Sequence, residues 1–138
     1  MIVVDVNVVA YLLIAGDKTP LAQQAWAKDP HWRVPTLWRH ELLNVLATYV
    51  RTGGATTEDA VTIWQQATAL LGGEEEQPSM EQALLLSAEY QISAFDAQYV
   101  ALALAHKLPL ITEDRALQRK FPETVLSLEE FCRVNPEW

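Results

Sequence analysis

The chain has 138 residues, the size of one ordinary domain, with 18 acidic against 10 basic side chains and a formal net charge of −8. Half of it is apolar, which argues against intrinsic disorder, and no apolar run reaches the roughly 18 residues of a membrane span. The acid excess speaks against a broad basic face for nucleic acid, while leaving room for a few acids gathered around a cation.

Ile2-Val3-Val4 is a β-branched run ended by Asp5 and reads as a buried strand. No basic stretch or small-residue cleavage site marks a leader here, so the segment is expected to be structural. Asn7 to Ile14 follows as a short apolar helix stopped near Gly16. Thr19-Pro20 supplies an N-cap and first position for a helix to about Lys28. Trp32 to Val34 is a short strand before Pro35. A strong helix then runs from Thr36 to about Arg51, closed by Gly53-Gly54. Projected at about 100° per residue, His40, Glu41, Asn44, Thr48 and Arg51 share a polar stripe opposite Leu42, Leu43, Leu46 and Val50.

Thr56 or Thr57 caps the next helix, which ends at Leu71 before Gly72-Gly73. Glu74-Glu75-Glu76 and Pro78 mark a loop or short edge strand. Ser79 and Gln82 have capping-box spacing and open a helix through about Tyr90. Ser93 and Asp96 have related spacing and open Ala94 to His106, apolar nearly all round and so expected to be buried. Leu108 to Thr112 is another short strand, followed by a charged helix from about Asp114 to Lys120. Val125-Leu126 is a last strand, and Ser127 with Glu130 caps a terminal helix. The lone Cys132 cannot staple this fold, and no Cys/His spacing suggests zinc. The cytoplasm is the expected location.

Short apolar strands separated by helices predict an α/β domain with a parallel sheet and right-handed crossovers. Ligands of such sheets sit beyond the carboxyl ends of the strands. Asp5 and Asn7 lie just past the first strand, and Thr112 and Asp114 just past a later one. Both pairs are expected in the same crevice.

Four acids occupy distinctive contexts: Asp5 in MIVVDVNVV, Glu41 in LWRHELLNVL, Asp96 in SAFDAQYVALA and Asp114 in LITEDRAL. In order, spacing and flanking pattern, over nearly the whole chain, these segments resemble the PIN-domain ribonucleases, in particular the VapC-like toxins of toxin–antitoxin pairs. The resemblance implies a single domain over 1–138, a three-layer α/β/α sandwich around a mostly parallel sheet of four to five short strands. It implies a metal-dependent endoribonuclease in which Asp5, Glu41, Asp96 and Asp114 hold one or two Mg²⁺ or Mn²⁺ ions. Hard cations prefer carboxylate oxygen, and they can acidify water and spread charge over a phosphate. RNA is then the substrate, with an antitoxin protein covering the acidic groove and a homodimer or a hetero-oligomer with antitoxin as the assembly. Taken singly, each acid also fits a plainer role: Asp5, Asp96 and Asp114 as helix caps, and Glu41 as a solvated surface residue.

Asn7 and Thr112 match small polar positions of the family, where they would orient water or a carboxylate; either also fits a helix cap. Glu113, between Thr112 and Asp114, is expected to face away. Arg115, Arg119 and Lys120 form the dense basic cluster, with Arg115 the candidate for steadying an RNA backbone. Arg39 and His40 adjoin Glu41. Trp26, Trp38 and Trp64 read as packing residues, Trp38 being the one best placed to line a groove. A haloacid-dehalogenase-like phosphatase would need a second acid where Asn7 stands, and a receiver domain would need adjacent acids at Asp5. The two remaining alternatives are a PIN-fold binding module that no longer cuts RNA and a freestanding RNA-processing nuclease. The helices at 36–51 and 57–71 are the candidate partner surfaces.

Overall fold

The computed structural model describes residues 1–133; residues 134–138 of the expected domain lie outside the described residues. Strand β1 (Ile2–Val4) leads into α1 (Val6–Leu13), α2 (Thr19–Lys28), β2 (Trp32–Pro35), α3 (Trp38–Arg51), α4 (Thr57–Leu71) and β3 (Glu75–Glu76). Then come α5 (Met80–Tyr90), α6 (Ala94–His106), β4 (Leu110–Ile111), α7 (Arg115–Lys120), β5 (Val125–Leu126) and α8 (Leu128–Arg133). The strands form one sheet in the order β3-β2-β1-β4-β5, and every neighbouring pair is parallel.

The unbroken apolar run of β1 follows from this central place, because a parallel strand inside a sheet is covered on both faces. Ile2 and Val4 point into one core with Trp32, Val34, Ile111 and buried residues of α1, α3, α4 and α8. Val3 points the other way, into a core shared with Leu110, Val125 and α5 to α7. Alternation along three residues thus builds the three-layer α/β/α sandwich. β1 pairs with β2 on one side and β4 on the other, so the order reverses at its carboxyl end, where α/β sheets open a crevice. No described helix is long and apolar enough to cross a membrane.

The helix starts follow their caps. Thr56, Ser79 and Ser93 each accept the amide three residues on, and Ser127 and Glu130 form a reciprocal capping box. Thr19 departs from expectation. It is the first helical residue, and its hydroxyl donates to the Tyr11 carbonyl at 2.6 Å, tying the end of α1 to α2. Leu43 also departs: it is 55% exposed. The buried seam of α3 is Trp38, Leu42 and Leu46, and one further residue rotates Leu43 by about 100° out of it. In α6 the stretch Ala97 to Ala103 is buried throughout, as its composition predicts, while Phe95 and Leu104 emerge near its ends.

The tryptophans pack. Trp26 meets Trp32 edge-on, and Trp38 stacks on Trp64 with ring centroids 5.9 Å apart. Trp38 is fully buried and lines no groove, because its Nε1 donates to Glu75 at 2.7 Å and draws the ring under the sheet edge. Arg39 completes the clamp, donating from Nε and Nη2 to the two Glu75 oxygens at 2.7 Å each. The clamp ties the charged edge strand β3 to the start of α3. Arg39, then Trp38, hold the Glu75 carboxyl below its ordinary value near 4.5, against a smaller opposing effect of burial. A depressed carboxylate stabilises the fold above its unfolded pKa, and that contribution is lost as pH falls through the folded one. Urea melts from pH 7 down to pH 3 should therefore show a shallower acid loss for Glu75→Gln than for wild type. At neutral pH the variant should be about 1 kcal/mol less stable, the exposed Arg39 limiting the effect. Parallel pH profiles would remove Glu75 as the source.

Candidate active site

Asp5 leaves β1 at the crevice. Its amide donates to the Ile111 carbonyl at 3.1 Å, extending the β1–β4 ladder by one bond, and it occupies the N-cap position of α1 without a capping bond from its side chain. The carboxylate is instead held by Thr112, whose Oγ1 donates to Oδ2 at 2.9 Å. Thr112 is fully buried behind it, and the same Oγ1 accepts the Asp114 amide at 3.1 Å. One hydroxyl thus joins the ends of β1 and β4. Asp114 then caps α7, its Oδ1 accepting the Leu117 amide, and Asp96 sits in the first turn of α6 beside the capping Ser93. Both acids keep their capping surroundings and border the cavity as well; the two roles coexist.

Glu41 lies in the first turn of α3 and is half-buried. Its Oε1 accepts the Tyr99 hydroxyl at 2.6 Å. Tyr99 is 2% exposed and its role is absent from the sequence reading. The available signal is its place three residues after Asp96, on the same side of α6. The uniformly apolar appearance of that helix hides it.

A cavity of about 470 Å³ unites these side chains: Asp5, Asn7, Glu41, Asp96 and Asp114 border it, with Tyr11, Asn44 and Glu113. Glu113 was expected to face away and instead stands on this rim. Its two carboxylate oxygens are held by Lys18 at 2.7 Å and by the Leu128 amide at 2.8 Å. The other expectations divide. Arg115, Arg119 and Lys120 are exposed and outside the lining. Arg39 is turned to the sheet edge, and His40 is exposed.

Burial pushes the Asp5 carboxyl above its usual range, helped by the Asp96 charge and opposed by Thr112 and the nearby Asn7 and Val6 amides. Burial also raises Glu41, with Asp5 and Asp96 adding to it and Tyr99 opposing. Asp96 is raised by burial and then by Asp114, against the pull of Ser93. Among the described residues, none of the four acids has an ion-pair partner. Three half-buried acids and the exposed Asp114, gathered on one cavity without a base, are the electrostatic complement of a cation. The donors are all oxygen, as Mg²⁺ and Mn²⁺ prefer. Among the described residues no three acidic, histidine or cysteine side chains close into a ready-made metal cage.

A parallel sheet reversing at β1, with acids from four segments at its carboxyl edge, defines the class of protein. The PIN domain family model matches residues 2–121, and the chain belongs to that family. It is similar to Ribonuclease VapC3 of Pyrobaculum aerophilum, with 27% identity over 128 residues, covering 90% of this chain and 97% of that protein. The fold is shared with the crystal structure of PAE2754 from Pyrobaculum aerophilum, at TM-score 0.74 and 18% identity over 94% of this chain and 92% of that one. A toxin–antitoxin complex from Klebsiella pneumoniae also matches, at TM-score 0.64 and 20% identity over 93% and 98% of the two chains.

Proposed function

We propose that this chain is a cytoplasmic Mg²⁺- or Mn²⁺-dependent endoribonuclease and the toxin of a toxin–antitoxin pair. The observation that carries the proposal is the meeting of Asp5, Glu41, Asp96 and Asp114 on one cavity with no base among them. Family membership and the similarity to a protein named as a ribonuclease support it. Asp5 and Asp96 are the principal ligands, with Glu41 and Asp114 binding directly, through water or at a second ion. A bound ion would acidify an attacking water and offset charge on the phosphate oxygens. Thr112 holds the Asp5 carboxylate and Tyr99 that of Glu41, both on the border of the cavity. Asn7 on the rim orients water or substrate, and Arg115 meets the RNA backbone outside it.

The antitoxin half of the reading is motivated by the same-fold toxin–antitoxin complex and by an apolar groove of about 390 Å³ between α3 and α4. Leu43 and Val61 are half or more exposed there, and Trp64 forms part of its floor. Such an exposed apolar patch suits a protein partner.

The test is cleavage of end-labelled RNA by the purified chain with Mg²⁺, Mn²⁺ or EDTA. Cleavage with either ion and none in EDTA is expected; equal cleavage in EDTA would refute the metal assignment. Melting supplies a separate readout. Mn²⁺ at about 100 times its dissociation constant should stabilise the wild type by about 2.7 kcal/mol, roughly 10 °C for a domain of this size. Asp96→Asn should respond much less.

A further inference from the structure

A second cavity, of about 430 Å³, adjoins the acidic one and shares Asn7 and Tyr11 with it. Tyr11 and Ile14 border it from the end of α1, Lys18 from the following turn, and Val45 and Tyr49 from α3. Tyr49 is 41% exposed. Its ring lies over Gly54, where an added Cβ would stand only 2.8 Å from Cδ1, so the missing side chain leaves the space the ring occupies. Lys18 links the two cavities: its Nζ is 2.7 Å from Glu113 on the acidic rim and 5.5 Å from the centroid of the Tyr11 ring. Past Tyr49 the trough runs onto a shallow shelf of Asn44, Val45, Thr48 and Thr52.

We propose that this trough holds unpaired bases of the RNA strand that enters the acidic cavity, with Tyr11 and Tyr49 as stacking surfaces and Lys18 meeting a backbone phosphate. The inference rests on the nuclease reading above and adds to it the surface and side chains that hold the bases of the strand. The charge balance points the same way. A chain of net charge −8 has no excess of positive charge to hold a polyanion by a broad basic face, so the few local cations must be joined by uncharged contacts. Base faces provide them, stack on aromatic rings without regard to sequence, and are accessible in an unpaired strand. The α3–α4 groove uses other α3 residues, Leu43, Leu46 and Val50, and its almost wholly apolar lining suits a protein instead.

Fluorescence anisotropy with a labelled 20-nucleotide RNA of mixed sequence tests this, using the full chain and Ca²⁺ in place of Mg²⁺ to preserve the strand. Tyr49→Ala should weaken binding roughly five- to hundredfold. Tyr49→Phe should bind as wild type, Tyr49→Leu should resemble the alanine variant, and annealing the RNA to its complement should weaken binding to wild type. Thermal melts report whether each variant folds, and the phenylalanine variant keeps the comparison valid if alanine destabilises. Unchanged affinity in Tyr49→Ala, or no binding of the single strand by wild type, would overturn the assignment and leave the trough to a protein side chain. Cleavage in Mg²⁺ is scored separately. A chain that cleaves without dependence on Tyr49 loses the trough and keeps the nuclease, whereas Tyr49-dependent binding without cleavage does the reverse.

Discussion

Asparagine at position 5 should abolish RNA cleavage and leave the fold intact. The substitution keeps the side chain's shape and an acceptor for the Thr112 hydroxyl, now 2.9 Å from Oδ2, and leaves the β1 ladders untouched. It removes a negative charge from a cavity bordered by three further acids of the proposed site, and a neutral amide is a poor partner for a hard cation. Cleavage should fall by at least about 100-fold, beyond the loss that removing an outer partner of a ligand causes. Melting temperature should stay level or rise, because one fewer charge is buried among like charges. Labelled-RNA cleavage and thermal melting on the same preparation read both effects. Near-normal cleavage would take Asp5 out of the chemistry, and a collapsed melt would make it structural.

Valine at position 112 should damage both stability and activity. Thr112 is fully buried, and its one hydroxyl serves the Asp5 carboxylate and the Asp114 amide. Valine fills the same space and offers neither bond, so two polar groups lose their partner at about 1–3 kcal/mol for a buried group. At this size that is a drop of roughly 3–10 °C in melting temperature. Cleavage should fall about 10- to 100-fold as Asp5 and Asp114 lose their common anchor. Thr112→Ser keeps the hydroxyl and should recover most of the cleavage. If serine and valine cleave alike, the hydroxyl has no positioning role.

Much of the fold was legible because its signals are local. The β-branched run at Ile2, the capping spacing at Ser79, Ser93 and Ser127, and the glycines after Arg51 and Leu71 each act within a few residues, and the elements follow them. The acids of the cavity stood out because Asp5, Asp96 and Asp114 interrupt or border apolar segments. What stayed hidden depends on partners distant in the chain. Tyr99 meets Glu41 across 58 residues, and Glu113 is held by Lys18, 95 residues away. Neither pairing leaves a periodicity to read. Trp38 packs as expected, and its candidacy for lining a groove fails for the same reason, since the Glu75 that its Nε1 meets lies on β3, 37 residues away. Local pattern places elements, whereas side-chain direction inside a crevice is settled by tertiary contacts.

The order of the strands has a consequence for the newborn chain. A polypeptide that has left the ribosome only as far as Tyr90, the end of α5, contains Asp5 and Glu41 but neither Asp96 nor Asp114. β1 then has β2 on one side and nothing on the other, because β4 begins at Leu110. The acid-lined cavity can close only after more than three quarters of the 138 residues have been made, since pairing distant in sequence must wait for both partners. Synthesis halted before Asp114 yields fragments without the complete pocket, so whatever activity resides there is withheld until β4 and the segment after it have been made.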